Sequence, residues 1–205
     1  MTMDNSGFEA LFGGTRLMAI LRGMGAERSL AVSTTAWDLG IDIVELPIQS
    51  AADLDALRVV AAAAKERGKT VGAGTVVSVE HVEQAAAAGA SFTVSPGLDL
   101  DVVRASHDAG MLSMPGVATA SEVQLGLKAG LTWLKAFPAS VLGSEWLSAM
   151  HGPFPQARFV TTGGMSAANA GEYLRAGARV VAVGSALEDP AQLPLLAELL
   201  DGEPR

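Results

Sequence analysis

The chain has 205 residues, 49% of them apolar and 18% charged, which is enough for one domain with a substantial core and too apolar for a disordered chain. Its net charge of −8 comes without any basic block, which excludes a broad nucleic-acid or anionic-membrane surface and obliges an anionic substrate to find a local site. There is no cysteine, so disulfides, iron–sulfur clusters, zinc thiolates and thiol nucleophiles are excluded, and the composition fits a reducing compartment.

The N-terminal stretch MTMDNSGFEALFGG is acidic, lacks the basic-then-apolar layout of a signal peptide, and reads as a short helix ahead of the domain. No apolar run reaches the length of a membrane span, so the expectation is a cytoplasmic protein. Short β-rich runs then recur: LMAILRG (17–23), IDIVELPI (41–48), KTVGAGTVV (69–77) and SFTVSP (91–96). MLSMPGVA (111–118), TWLKAFPA (132–139), ARFVTTGG (157–164) and ARVVAVGSAL (178–187) complete the series. Between them lie segments of helical period; after Ser50, for example, Leu54, Leu57, Val60 and Ala61 share one face. Ser50 is the expected N-cap of that helix, with Asp53 in the place of the usual capping-box glutamate. Gly40, Gly68, Gly89, Gly110, Gly130 and Gly177 each follow a helical pattern, where glycine serves as a left-handed stop. These are eight strand–helix units with no linker to divide them, and they predict one (β/α)8 TIM barrel over 1–205. A doubly wound sheet is disfavoured because LRGMGAERS lacks the third glycine of GxGxxG.

The active site of such a barrel lies at the C-terminal ends of its strands. In WLKAFPA (133–139), alternation places Lys135 on the side of Trp133 and Phe137, facing the interior near the top of strand six. A lysine there can snorkel to the rim and do nothing, or it can be a nucleophilic amine that forms a Schiff base with a ketone. Glu45 falls near the end of strand two, and strands two and six of a closed eight-stranded barrel are opposed. A structural ion pair is one reading; the other is a Schiff-base lysine facing a carboxylate that carries protons. TTGG (161–164) and VGSA (183–186) end the last two strands with small residues that let backbone N–H groups approach a phosphate. Arg22 and Thr75, at the ends of strands one and three, could clasp the carboxylate of a keto acid. His81, His107 and His151 have no partner at metal-ligand spacing and read as surface residues. Metal-stabilised enolate chemistry would need several carboxylates or histidines at the strand ends, where Glu45 stands alone. A non-catalytic phosphate-binding barrel is the other competing class.

In this order, the motifs AILRG, ELPIQS, GAGTV, VSPG, PGVAT, LKAFPA, TGG and VGSAL resemble the class I aldolases that cleave 2-keto-3-deoxy-6-phosphogluconate and its galactonate epimer. The resemblance covers nearly the whole chain. It implies a (β/α)8 homotrimer that needs neither metal nor cofactor, with Lys135 forming the Schiff base and Glu45 moving the protons. It also implies that Arg22 and Thr75 hold the pyruvyl carboxylate, that Pro96 and Phe137 line the pocket, and that Gly163, Gly164, Gly184 and Ser185 receive the phosphate. A related 4-hydroxy-2-oxoglutarate-type pyruvate aldolase is the alternative within the same chemistry. Gln49 departs from the gluconate pattern, which tends to have arginine four residues beyond the glutamate. The epimer signals are mixed: ELPIQS and LKAFPASVLGSEWL resemble the galactonate type, whereas Thr162 resembles the gluconate type and could hydrogen-bond the C4 oxygen.

Overall fold

The computed structural model describes residues 3–201; residues 1–2 and 202–205, the two ends of the expected 1–205 domain, lie outside the described residues. Helix α1 (Gly7–Phe12) leads into β1 (Leu17–Ile20), α2 (Gly25–Leu39), β2 (Ile43–Pro47), α3 (Ala51–Arg67) and β3 (Thr70–Gly74). Then come α4 (Val79–Ala87), β4 (Phe92–Val94), α5 (Leu100–Asp108), β5 (Leu112–Met114), β6 (Gly116–Val117) and α6 (Ala120–Lys128). The chain continues through β7 (Trp133–Ala136), α7 (Ala139–Leu142), α8 (Ser144–His151), β8 (Arg158–Thr161) and α9 (Ala167–Arg175). It closes with β9 (Val180–Val183), a 3₁₀ turn (Ser185–Glu188) and α10 (Leu193–Asp201).

All pairings are parallel, and the sheet runs β5-β4-β3-β2-β1-β9-β8-β7-β6. Its two ends, β5 and β6, are separated in the chain by Pro115 alone, so they are the two halves of the single fifth strand expected over 111–118. Proline has no N–H to donate and interrupts the ladder at that point. The lower half pairs with β4 and the upper half with β7, which gives a nearly closed barrel with helices outside. The glycine stops behave as expected, since all six have positive φ, from 65° at Gly68 to 108° at Gly177. The Ser50 cap forms too, although Asp53 returns its carboxylate to the Gln49 N–H rather than to that of Ser50.

Strand alternation sorts the core into two layers. Val44 and Leu46 of β2 and Leu134 and Ala136 of β7 pack outward against the helices. Ile43 and Trp133, on the alternate positions, face the interior with Phe92, Met114 and Val160. Below them α1 plugs the barrel: its i,i+4 pair Phe8 and Phe12 is buried, and Phe12 stacks on Trp133 with centroids 5.0 Å apart. Asn5 completes that plug at the seam beside β7. Its Nδ2 donates to the carbonyls of Ser113 and Trp133, and its Oδ1 accepts from the N–H groups of Thr132 and Trp133, all within 2.8–3.2 Å. Without it those buried backbone groups would lose partners, at about 1–3 kcal/mol for each left unsatisfied. The lower barrel is therefore a rigid apolar base. The polar interior residues stand above it.

Candidate active site

Lys135 projects inward from β7, two residues above Trp133, and is 3% exposed. Its Nζ lies 4.8 Å from the centroid of the Phe137 ring, a cation–π distance that fixes the amine beside an apolar face. Glu45 projects inward from β2 and is fully buried, and among the described residues no protein group donates to either of its carboxylate oxygens. Burial pushes its carboxyl above the usual range, opposed first by the charge of Lys135 and then by that of Arg22. The two charges thus feel each other without a bond to hold them together. That arrangement fits a mobile proton carrier better than a closed ion pair.

Gly74 explains how Glu45 fits. A Cβ on Gly74 would lie 2.7 Å from Glu45 Cδ, so the carboxylate occupies the space that any side chain at position 74 would take. The next residue, Thr75, has φ 58°, an outlier for a β-branched residue and a local strain of about 1–3 kcal/mol. The end of β3 is thus shaped around the carboxylate. Gly74→Ala should displace Glu45 and lower kcat by about 100-fold or more, since misplacing a reacting group by about 1 Å is enough for that. Retention of kcat within a factor of about three would show that the carboxylate tolerates displacement.

Above the lysine a cavity of about 450 Å³ opens. Arg22, Lys135, Phe137 and Thr162 line it together with the glycine ends of the last two strands, Gly163, Gly164, Gly184 and Ser185. Thr162 is 1% exposed and its Oγ1 has no protein partner among the described residues. Gly163 and Gly164 have φ 92° and 76°, and a Cβ on Gly164 would lie 2.6 Å from that of Ser140, so the loop accepts no side chain. Arg22 Nη1 donates to Gln49 Oε1 at 3.3 Å. Gln49 therefore steadies Arg22, and its own backbone is tied to the cap of α3 through Asp53.

Glu45, Thr75 and Pro96 do not line that cavity. Glu45 is buried against β3, Thr75 is half-buried at the strand end, and the Pro96 backbone packs over Gly116. Met24, Met165 and Glu188 do line it, and sequence reasoning missed them. Glu188 sits three residues past Ser185 on the 3₁₀ turn, a placement that no spacing rule predicts. The histidines need a correction. None is a free surface residue: all three are half-buried, and His151 packs edge-on to Phe159 with its Nδ1 2.9 Å from the Leu147 carbonyl. Among the described residues, no group of three or more histidine, aspartate or glutamate side chains is placed to hold a metal ion. No helix among them is long and apolar enough to cross a membrane. The site therefore offers an amine, a buried carboxylate, an arginine and a set of backbone donors. These suit condensation with a keto acid that carries a second anionic group.

Comparisons with known proteins converge on this chemistry. A family model described as KDPG and KHG aldolase matches residues 9–194. A probable 2-dehydro-3-deoxy-6-phosphogalactonate aldolase of Rhizobium meliloti (strain 1021) is 36% identical over 177 residues, 85% of this chain and 82% of that protein. A 2-dehydro-3-deoxy-phosphogluconate aldolase of Treponema pallidum is 44% identical over a shorter stretch, 60% of this chain and 58% of that protein, so that match spans less than two thirds of the relative's length. Among solved structures, a 4-hydroxy-2-oxoglutarate aldolase/2-deydro-3-deoxyphosphogluconate aldolase from TTHB1 superposes with a TM-score of 0.83 at 32% identity, covering 94% of this chain and 98% of the other. KDPG aldolase from Legionella pneumophila, solved with pyruvate captured as a covalent carbinolamine intermediate, has a TM-score of 0.79 at 29% identity over 93% of this chain and 95% of the other.

Proposed function

The chain belongs to the KDPG and KHG aldolase family and is a class I aldolase, a carbon–carbon lyase; on that premise we propose that it cleaves 2-keto-3-deoxy-6-phospho-sugar acids to pyruvate and D-glyceraldehyde 3-phosphate without a metal. The observation that carries this reading is the shared cavity, in which the Lys135 amine opens onto the same space as the glycine loops of β8 and β9. Lys135 condenses with the C2 ketone and expels water, and the resulting iminium is an electron sink. Glu45, ionised, takes the C4 hydroxyl proton directly or through water, and the C3–C4 electron pair moves toward the iminium to leave an enamine. The aldehyde product departs, the enamine is protonated at C3 by Glu45, and hydrolysis frees pyruvate and the amine. Arg22 holds the substrate carboxylate with Phe137 at its apolar edge; Thr75 and Pro96, which the resemblance assigns to the same contacts, stand outside the cavity lining. Gly163, Gly164, Gly184 and Ser185 receive the phosphate through backbone N–H groups.

The test is a steady-state comparison of the phosphorylated substrate with its unphosphorylated counterpart, with both products identified. Strong preference for the phosphorylated acid is expected; equal efficiency would remove the phosphate site. 4-Hydroxy-2-oxoglutarate is the second reading, favoured by the name of the TTHB1 structure, and it belongs in the same comparison because it undergoes the same bond cleavage.

The epimer choice falls to Thr162. Its buried, unpartnered hydroxyl lines the cavity and can bond a C4 oxygen in one configuration. The enzyme accordingly cleaves both epimers, with Thr162 supporting the gluconate form. Thr162→Val should lower kcat/KM about 10-fold for the gluconate epimer and spare the galactonate one. An equal response of both epimers would place the choice elsewhere. A cytoplasmic homotrimer completes the reading: the absence of cysteine fits a reducing compartment, and the trimer is what the family resemblance of the motifs implies.

A further inference from the structure

The glycine end of the cavity contains a charge that does not suit an anion. Glu188, at the end of the 3₁₀ turn that begins at Ser185, is the one carboxylate among the described residues lining that cavity. Left alone, it would repel a phosphate bound at Gly164, Gly184 and Ser185. It is not alone, because its Oε1 is buried in contact with the Nη2 of Arg28. The contact is one of charges without hydrogen-bond alignment, and the Arg28 side chain is 65% exposed. Arg28 lies on α2 one turn beyond Met24, which lines the same cavity, so it reaches Glu188 from the adjoining wall. A surface pair of this exposure adds little to stability, so a structural role accounts poorly for a carboxylate placed inside the cavity.

We propose that Arg28 and Glu188 form a specificity-determining pair: Arg28 neutralises Glu188 and thereby makes the glycine end of the cavity receptive to a phosphate. This inference rests on the phosphate reading given above. Its consequence is an asymmetry between the two partners. Removing the arginine exposes a carboxylate to the incoming anion, whereas removing the carboxylate leaves a cation that favours it.

The experiment measures kcat and KM of the parent, Arg28→Ala, Glu188→Gln and the double variant on the phosphorylated acid and on its unphosphorylated counterpart. Borohydride trapping of pyruvate, which involves no phosphate, reports on the integrity of the fold and of Lys135. Arg28→Ala should raise KM for the phosphorylated acid at least about 10-fold with little change in kcat, and leave the unphosphorylated acid unaffected. Adding Glu188→Gln to Arg28→Ala should recover most of that loss, and Glu188→Gln alone should bind the phosphorylated acid as well as the parent does or better. If the parent prefers the phosphorylated acid and Arg28→Ala keeps that preference, the pair is structural and the inference falls while the phosphate reading stands. If the parent shows no preference, both fall. Loss of pyruvate trapping in Arg28→Ala would also overturn the inference, because the effect would then reach beyond the phosphate.

Discussion

Lys135→Ala should abolish turnover, with a loss on the order of 10⁴–10⁶-fold, as expected when a covalent nucleophile is removed and only binding groups remain. The argument starts from placement. Lys135 is 3% exposed, stands above the apolar base formed by Trp133 and Phe12, and opens into the cavity that Arg22 and the glycine loops share. Among the described residues, no other lysine lines that cavity. The variant should fold, because truncation removes a mostly buried ammonium whose solvation had been given up, and Leu134 and Ala136 still hold β7 against the helices. Lys135→Arg separates charge from chemistry, since guanidinium keeps the positive charge but cannot form the iminium. Substantial turnover by either variant, measured on folded protein, would remove the Schiff base from the mechanism.

Glu45→Gln should cost roughly 10²–10⁴-fold in kcat, the usual contribution of general acid–base catalysis, while Schiff-base formation with pyruvate is less affected. The amide has nearly the same shape and fits the space over Gly74, so its loss is one of proton transfer. The pH dependence follows from burial, which raises the Glu45 carboxyl above its ordinary value against the pull of Lys135 and Arg22. Folding then favours the protonated acid, so the stability contributed by Glu45 is present below the ordinary carboxylate pKa of about 4.3 and is lost as pH rises through the raised value. Activity runs the other way. The base form is needed to take the C4 proton, so kcat/KM should climb with pH along an acidic limb lying above about 4.3. That limb should be absent in Glu45→Gln; its persistence there would assign it to another group.

Much of the fold is legible in the chain because barrels repeat local rules. Most helices that precede a strand end near a glycine at positive φ, α8 with Gly152 at φ −55° being an exception, and each strand alternates between a helix-facing and an interior layer. That alternation alone puts Lys135 and Glu45 on the interior. Three features escaped because they depend on distant contacts. The fifth strand reads as one run in MLSMPGVA, yet Pro115 divides it and the barrel closes through its two halves. The i,i+4 spacing of Phe8 and Phe12 marks a helix but not that it plugs the barrel, and the Asn5 amide that serves β7 from 128 residues away leaves no periodic trace. The histidines read as surface residues from their helical positions, whereas neighbouring elements cover them; His151 lies against Gly177 as well as Phe159.

The candidate site was legible to a similar degree. Lys135, Arg22 and the glycine ends meet in one cavity, as strand-end placement suggested, together with Phe137 and Thr162, which the family resemblance names. The hold on Glu45 was not visible, because only the three-dimensional register of β2 on β3 brings Gly74 to it. The Arg28–Glu188 pair was hidden for the same reason, since 160 residues separate its two charges in the chain.

The Schiff base is the central claim, and its most direct measurement is intact mass followed by peptide mapping after incubation with pyruvate and borohydride. The mechanism predicts one reduced pyruvyl group per chain, carried by the peptide containing Lys135, absent in Lys135→Ala and unaffected by a chelator. No adduct on the folded parent protein, or an adduct on any other lysine, would contradict it.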